Sequence, residues 1–263
     1  MDLQLKNKLA LVTGSTAGIG FAIAKALSAE GARTIINGRR EESVARAVAE
    51  IGVSTSGELI GFAGDLSTAE AAAELVQKHP DVEILINNLG IYEAAAFEEI
   101  TDDDWRRFFE VNVLSAVRLS RFYLPGMKKR NWGRIVFISS ESGIQIPAEM
   151  IHYGMTKTAL LAVSRGLAEY VSGTQITVNA VLPGPTTSRG VNDFVEDLAR
   201  KEGKTFAEFE KEFFVKVRPT SLLKRFTTPD EIASLVAYVA SPLSSATTGT
   251  ALRVDGGVVK SAF

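Results

Sequence analysis

Short apolar runs rich in β-branched residues alternate with longer stretches of helical period along the whole chain. The runs Leu9–Thr13, Thr34–Asn37, Leu59–Phe62, Ile84–Ile86, Arg134–Ser139, Ile176–Leu182 and Ala251–Val254 are mostly continuous in their apolar character. Continuous runs mark strands buried on both faces, as in a parallel sheet covered by helices. The stretches Ile19–Ala29, Glu42–Ile51, Ala69–Lys78, Asp103–Lys128, Tyr153–Val171 and Pro229–Ala240 predict helices. Ser67 with Glu70 has capping-box spacing, and Thr101 with Asp104 has a weaker Asp form of it. Thr228-Pro229-Asp230-Glu231 joins an N-cap, a proline at the first helical position and a returning glutamate. This β-α succession predicts an α/β fold: a doubly wound parallel sheet of about seven strands, right-handed crossovers, and helices on both faces.

No internal repeat, low-complexity segment or linker interrupts the pattern, so residues 1–263 read as one domain. The pattern breaks once. After Leu182 come Pro183-Gly184-Pro185 and then an excursion over about residues 186–228, rejoining at Thr228. Its middle, Asp193–Phe214, is helical in character and rich in charge, broken by Phe194, Phe206, Phe209, Phe213 and Phe214. A long insertion in a compact domain is often a lid or binding element. The alternative is a surface helix pair whose aromatics pack on the body.

Charge and composition narrow the function. The 29 basic and 31 acidic residues nearly cancel, so nothing predicts an electrostatic grip on nucleic acid or anionic lipid. The absence of cysteine excludes disulfides, thiolate nucleophiles and Cys-ligated metals, and fits a reducing cytoplasm. The N-terminus carries no signal-peptide pattern, and no apolar stretch approaches the roughly 20 residues of a membrane-spanning helix. A cytoplasmic protein is expected. His79 and His152 lie far apart, which argues against a zinc site and a Ser-His-Asp triad. His79 reads as a helix end and His152 as a packed or surface residue.

The first strand runs into Gly14-Ser15-Thr16-Ala17-Gly18-Ile19-Gly20 and a helix. Glycines at a strand-to-helix junction permit a tight bend and let a pyrophosphate approach the backbone, where the helix offers free N–H groups and a positive dipole end. The spacing is Gly-x3-Gly-x-Gly, not the Gly-x-Gly-x-x-Gly of the standard dinucleotide fingerprint. Farther along, Tyr153 and Lys157 stand four apart on a predicted helix and share a face. Free tyrosine titrates near pH ~10, too high for an effective base at neutrality. An ammonium ~4 Å away at an effective dielectric of ~20 favours the phenolate by ~4 kcal/mol, or roughly three pKa units, with desolvation opposing it.

These motifs together resemble the short-chain dehydrogenase/reductase family, over nearly the whole chain. Thr13-Gly14-x3-Gly18-Ile19-Gly20 is similar to that family's cofactor motif. Asp65-Leu66 falls where the family has its adenine-contacting Asp. Asn87-Asn88-Leu89-Gly90 falls where it usually has Asn-Asn-Ala-Gly, and Leu89 adds bulk there. Asn112, Ser139-Ser140, Tyr153-x3-Lys157, Pro183-Gly184 and Val254-Asp255-Gly256-Gly257 follow in the expected order. The resemblance implies a Rossmann fold and a catalytic set of Asn112, Ser140, Tyr153 and Lys157. In that set Ser140 bonds the substrate oxygen, Tyr153 moves the proton, Lys157 also holds the nicotinamide ribose, and Asn112 positions a water. Ser140 is preferred to Ser139 on the family's spacing to the tyrosine. The expected cofactor site comprises Gly14, Ser15, Thr16, Gly18, Ile19, Gly20, Arg39, Arg40, Asp65, Leu66, Asn88, Leu89, Gly90, Tyr153, Lys157, Pro183, Gly184, Thr186 and Ser188, with no metal.

The second strand ends Ile35-Ile36-Asn37-Gly38-Arg39-Arg40, with no acidic group for ribose hydroxyls. Arg39 and Arg40 are placed to pair with a 2′-phosphate, so NADP(H) is expected over NAD(H). The resemblance implies reversible reduction of a ketone to a secondary alcohol on a small molecule, such as a 3-oxoacyl thioester, a sugar or a steroid-like compound. Glu93, Glu141 and Gln145 lie near the matched motifs; two of the three are expected to face solvent. A homo-oligomer, tetramer or dimer, is also implied. Two alternatives stay open: a catalytically silent nicotinamide-binding sensor or scaffold, and an epimerase or lyase using nicotinamide without net oxidation.

Overall fold

A computed structural model of the chain describes residues 2–187 and 205–262. Seven parallel strands form one sheet: β1 (Leu9–Val12), β2 (Arg33–Gly38), β3 (Leu59–Ala63), β4 (Ile84–Asn87), β5 (Gly133–Ile138), β6 (Ile176–Pro183) and β7 (Ala251–Val254). Their order is β3-β2-β1-β4-β5-β6-β7. Leu11 pairs with Ile35 on one side and Leu85 on the other, so β1 lies between β2 and β4. The helices are α1 (Gly18–Ala29), α2 (Glu41–Gly52), α3 (Ala69–Lys78), α4 (Asp102–Phe109), α5 (Ser115–Lys129), α6 (Ile151–Tyr170), α7 (Phe206–Lys216) and α8 (Pro229–Val239). The architecture is the doubly wound Rossmann type that the pattern predicts.

Alternate residues of each strand serve opposite faces, and both faces are apolar. Ala10, Val12, Ile36, Ile86, Val136 and Val181 pack with Ile23 and Leu27 of α1, Ile51 of α2 and Val236 of α8. Leu9, Leu11, Ile35, Leu85, Phe137 and Leu182 pack with Leu75 of α3, Leu119 and Tyr123 of α5 and Leu160 of α6. Burying a side chain such as Ile23 or Leu27 contributes about 1.5–3 kcal/mol. At the N-terminal edge of the sheet the buried Arg134 donates to the carbonyls of Ser241, Gly133 and Gln175. Burial lowers its pKa to about 10, so it stays charged at neutrality.

Several helix starts follow the local chemistry. Complete capping boxes occur at Thr101/Asp104, Thr205/Glu208 and Thr228/Glu231. The expected Ser67/Glu70 box is not formed. Asp65 Oδ1 takes both the Ser67 amide and its hydroxyl, and Thr68 caps α3 instead, accepting from Ala71 N. The expected single helix Asp103–Lys128 is divided by a π-helical turn, Glu110–Leu114. Of the expected helix Asp193–Phe214, residues 206–214 lie in α7, and residues 188–204 lie outside the described residues. His79 ends α3 as its C-cap. His152 is buried against Phe108, with ring centroids 4.0 Å apart. Among the described residues no helix is long and apolar enough to cross a membrane.

The chain builds β1–β2–β3 outward, then returns to place β4 beside β1. This reversal is the switch point of the sheet, where the loops after β1 and β4 part and leave a crevice.

Candidate active site

The loop after β1 is held open by its neighbours. Gly14 and Gly18 have φ of 62° and 59°, in the left-handed region that glycine occupies without strain. Asn37 Oδ1 accepts from Gly14 N at 3.1 Å, and its Nδ2 donates to the carbonyls of Phe62 and Gly64. Ser15 is fully buried; its hydroxyl donates to Val12 O and accepts from Asn37 N. From the other side, Asn88 Nδ2 donates to the carbonyls of Thr13 and Gly14, and Thr13 Oγ1 accepts from the amides of Asn88 and Leu89. Asn37 and Thr13 therefore anchor the turn, roles their positions in the sequence did not single out. The N-cap of α1, Ala17, offers no side-chain cap, and the first turn of the helix holds no acidic residue. Its first amides are left for a ligand, and the dipole end favours an anionic one.

This cradle opens into a cleft of about 810 Å³ that runs along Gly18, Ile19, Gly20, Asn88 and Gly90 to Ser140, Tyr153 and Lys157. Pro183, Gly184, Pro185 and Thr186 form its floor edge, and Phe209, Phe213 and Phe226 form an apolar wall. Of the expected cofactor residues, Gly18, Ile19, Gly20, Asn88, Gly90, Tyr153, Lys157, Pro183, Gly184 and Thr186 line this one space. Gly14 and Ser15 lie behind it as scaffold. Thr16 packs against Gly38, where an added carbon would come within 2.5 Å of Thr16 Cγ2. Leu89 is half-buried against the core, and its Cδ1 would lie 3.6 Å from a carbon added at Gly14, so its bulk sits beside the glycine turn. Arg39 and Arg40 are exposed at the end of β2, Leu66 is buried, and Asp65 is engaged with Ser67. Ser188 lies outside the described residues.

Ser139 and Ser140 point to different partners. Ser139 Oγ donates to the backbone carbonyl of Lys157 at 2.8 Å. Ser140 stands beside the Tyr153 phenol, and both line the cleft. Lys157 Nζ donates to Ile138 O at 3.0 Å and stands 5.5 Å from the Tyr153 ring centre. An ammonium has three donors, so this bond leaves others for the cleft. Asn112, fully buried in the π turn, clamps Ile91 through its amide and carbonyl and donates to Thr156 Oγ1. A carbon added at Gly90 would sit 3.4 Å from both Asn112 Oδ1 and Lys157 Nζ, so those two groups flank the same glycine.

The electrostatics correct one expectation. The Tyr153 phenol is raised, not lowered. Burial is the largest cause; the nearby Ser140 hydroxyl opposes it, and the Glu141 carboxylate reinforces it. Lys157 is itself lowered to about 8 by burial. Desolvation disfavours both charged forms, and it outweighs the attraction that spacing alone suggested. Of the three polar residues near the motifs, Glu93 and Gln145 are exposed and Glu141 is buried. Glu141 Oε1 accepts from Arg218 Nε at 3.1 Å. Arg218 also lines the cleft, and the sequence offered no signal that distinguished it from the other charges of the excursion.

The sequence model of the short chain dehydrogenase family matches residues 8–199. Two Bacillus subtilis (strain 168) proteins, the uncharacterized oxidoreductases YvrD and YvaG, are 48% and 50% identical to the chain over 264 residues. The alignment covers 99% of this chain and all of YvrD, and all of both for YvaG. Among solved structures, L-sorbose reductase from Gluconobacter frateurii, complexed with NADPH and L-sorbose, matches with a TM-score of 0.93 at 28% identity, covering 99% of this chain and 100% of that one. The chain belongs to the short-chain dehydrogenase/reductase family. It is an oxidoreductase of that family.

Proposed function

We propose that the protein interconverts a small-molecule ketone and its secondary alcohol with NADP(H), Tyr153 acting as general acid and base. The observation that carries this reading is the continuity of the cleft: one space joins the glycine cradle to the Ser140–Tyr153–Lys157 cluster. The cradle fits a dinucleotide because its helix amides are uncapped and its glycines keep side chains out of the approach. Gly18, Ile19 and Gly20 would hold the pyrophosphate, Asn88 and Gly90 would border the path beyond it, and Lys157 would hold the ribose. When bound, the nicotinamide supplies or accepts the hydride.

The protein's own groups do the rest. Ser140 bonds the substrate oxygen and fixes it beside Tyr153. In reduction the Tyr153 hydroxyl gives its proton to that oxygen; in oxidation the phenolate takes it back. Lys157 favours the phenolate, and Asn112 holds the Ile91 loop and the neighbourhood of Lys157 in register. Segment 205–228 acts as the lid of the substrate end, its phenylalanines excluding water from the reacting carbon. The experiment is a panel of ketones and alcohols with both cofactors, measured on the wild-type chain. Reduced-nicotinamide consumption by a ketone supports the reading, and cofactor binding with no turnover across the panel rejects it.

Two expected outcomes arise here. Arg39 and Arg40 are exposed, and their side chains form no hydrogen bond or ion pair among the described residues, so their guanidinium groups are free for a 2′-phosphate. Replacing both with glutamine is expected to lower kcat/KM for NADPH by one to two decades, roughly 1.5–3 kcal/mol, with little change for NADH. Equal losses with both cofactors would contradict the assignment. The second concerns pH. A raised phenol pKa keeps Tyr153 protonated at neutrality, the form that donates. Ketone reduction is therefore expected to stay level from about pH 6 to about pH 7, below the range in which Lys157 loses its proton. Alcohol oxidation needs the phenolate, whose fraction rises about tenfold per pH unit below the pKa, so its rate is expected to climb over the same range. A flat oxidation profile would contradict it.

A further inference from the structure

The Ser140 hydroxyl has one proton, and in this structure that proton is engaged away from the substrate. Ser140 Oγ donates to Glu141 Oε2 at 2.5 Å. The same carboxylate oxygen accepts from Ser142 N at 2.9 Å and from Ser142 Oγ at 3.2 Å, while Oε1 is held by Arg218. Hydrogen bonds to an ionised carboxylate are the strong ones. Ser140 Oγ also accepts from Ser142 N at 3.1 Å, so it turns one lone pair, not its proton, toward the cavity. A ketone oxygen is an acceptor as well, and to receive the Ser140 proton it must draw Ser140 off Glu141. That leaves the buried carboxylate short of a donor, at a cost comparable to losing a charge-assisted hydrogen bond.

A substrate can remove that cost itself. We infer that the preferred substrate is an α-hydroxy ketone, or in reverse its vicinal diol, whose neighbouring hydroxyl replaces Ser140 as the proton donor to Glu141. In such a ketone the carbonyl and hydroxyl oxygens lie side by side at hydrogen-bond distance, as Ser140 Oγ and Glu141 Oε2 do. With the hydroxyl on Glu141, Ser140 rotates to donate to the carbonyl oxygen beside it, where Tyr153 delivers its proton. Arg218 supports the exchange. It is nearly buried, bonded to Glu141 through Nε and 3.7 Å from Glu149, so its charge is already matched and the site suits a neutral polar group over an anion. Phe209, Phe213 and Phe226 line the same cleft, so the remainder of the molecule is apolar or offers an apolar face. Glu141 and Arg218 are then specificity-determining residues, acting next to the catalytic serine without moving the reaction's proton. This inference rests on the ketone–alcohol reading.

The test uses two ketones of nearly equal shape with the full-length protein and NADPH. One is α-hydroxyacetophenone; the other is propiophenone, which carries a methyl where the first has its hydroxyl. The wild type is expected to favour the hydroxy ketone in kcat/KM by about tenfold to a hundredfold, the worth of one hydrogen bond to a charged group. In Glu141→Gln, which keeps the shape and removes the charge, the preference is expected to shrink to within about threefold, through loss on the hydroxy ketone and gain on propiophenone. Gain on one substrate with loss on the other is not a result of general damage. A second variant reads the opposite sign. Ser142→Ala takes one donor from the same carboxylate, and its preference is expected to hold or widen. Equal turnover of both ketones by the wild type, or a narrowed preference in Ser142→Ala, overturns the inference and leaves the ketone–alcohol reading standing. Turnover of neither, with NADPH bound, counts against both.

Discussion

Tyr153→Phe is expected to lower kcat for ketone reduction by about two to four orders of magnitude while leaving NADPH binding and the fold intact. The phenyl ring keeps the packing beside Lys157, whose ammonium stands 5.5 Å from the ring centre. What disappears is the hydroxyl beside Ser140, the group assigned to deliver the proton. Ser140 and Lys157 remain, so residual activity from orientation and oxyanion stabilisation is expected above background. The variant should also lose the rise of alcohol oxidation with pH, because no phenolate is left to form. Steady-state kinetics in both directions, with fluorescence titration of NADPH, measure these effects together. A variant with wild-type kcat would remove Tyr153 from the mechanism.

Gly20→Ala is expected to damage both cofactor binding and stability. A carbon at this position would lie 2.4 Å from Asn88 Nδ2 and 2.5 Å from Gly14 O, closer than atoms tolerate. Asn88 Nδ2 is the donor that ties the end of β4 to the glycine turn, through the carbonyls of Thr13 and Gly14. Making room therefore breaks the bridge that shapes the cradle. Overpacking of this kind costs about 1–3 kcal/mol, or several degrees in Tm, and the Kd for NADPH is expected to rise at least about tenfold as the turn shifts. Gly166→Ala is the matched control. Gly166 lies within α6 with no atom within 4 Å of an added carbon. Alanine there is expected to leave NADPH binding unchanged and to raise stability by up to about 1 kcal/mol. Thermal unfolding and NADPH titration of the two variants decide the matter, and equal behaviour would contradict the close-packed cradle.

The sheet and most of the helices were legible in the sequence because their signals are local. Continuous apolar runs mark a strand buried on both faces wherever it sits, and Thr228 with Glu231 can close a capping box without help from the rest of the fold. Where a local signal had a competitor, it was less reliable. Asp65 claims Ser67, and the cap of α3 passes to Thr68. The π turn at Glu110–Leu114 leaves no mark in the apolar pattern, yet it carries the buried Asn112 that clamps Ile91. The site divides in the same way. Tyr153 and Lys157 share a helix face by spacing alone, but the direction of the phenol's shift depends on burial, which spacing does not encode. Glu141 and Arg218 stand 77 residues apart, and only the folded chain brings them together against Ser140.

The most direct measurement of the central claim follows the hydride itself. NADPH deuterated at its transferable position is incubated with the wild-type protein and a ketone from the panel that consumes cofactor, and the product is examined by mass spectrometry and NMR. The account predicts one deuterium on the carbinol carbon of a secondary alcohol, in one configuration, with Tyr153→Phe forming it at a rate lower by orders of magnitude. Conversion of substrate with the deuterium still on the cofactor would contradict the account, and would point to an epimerase or lyase.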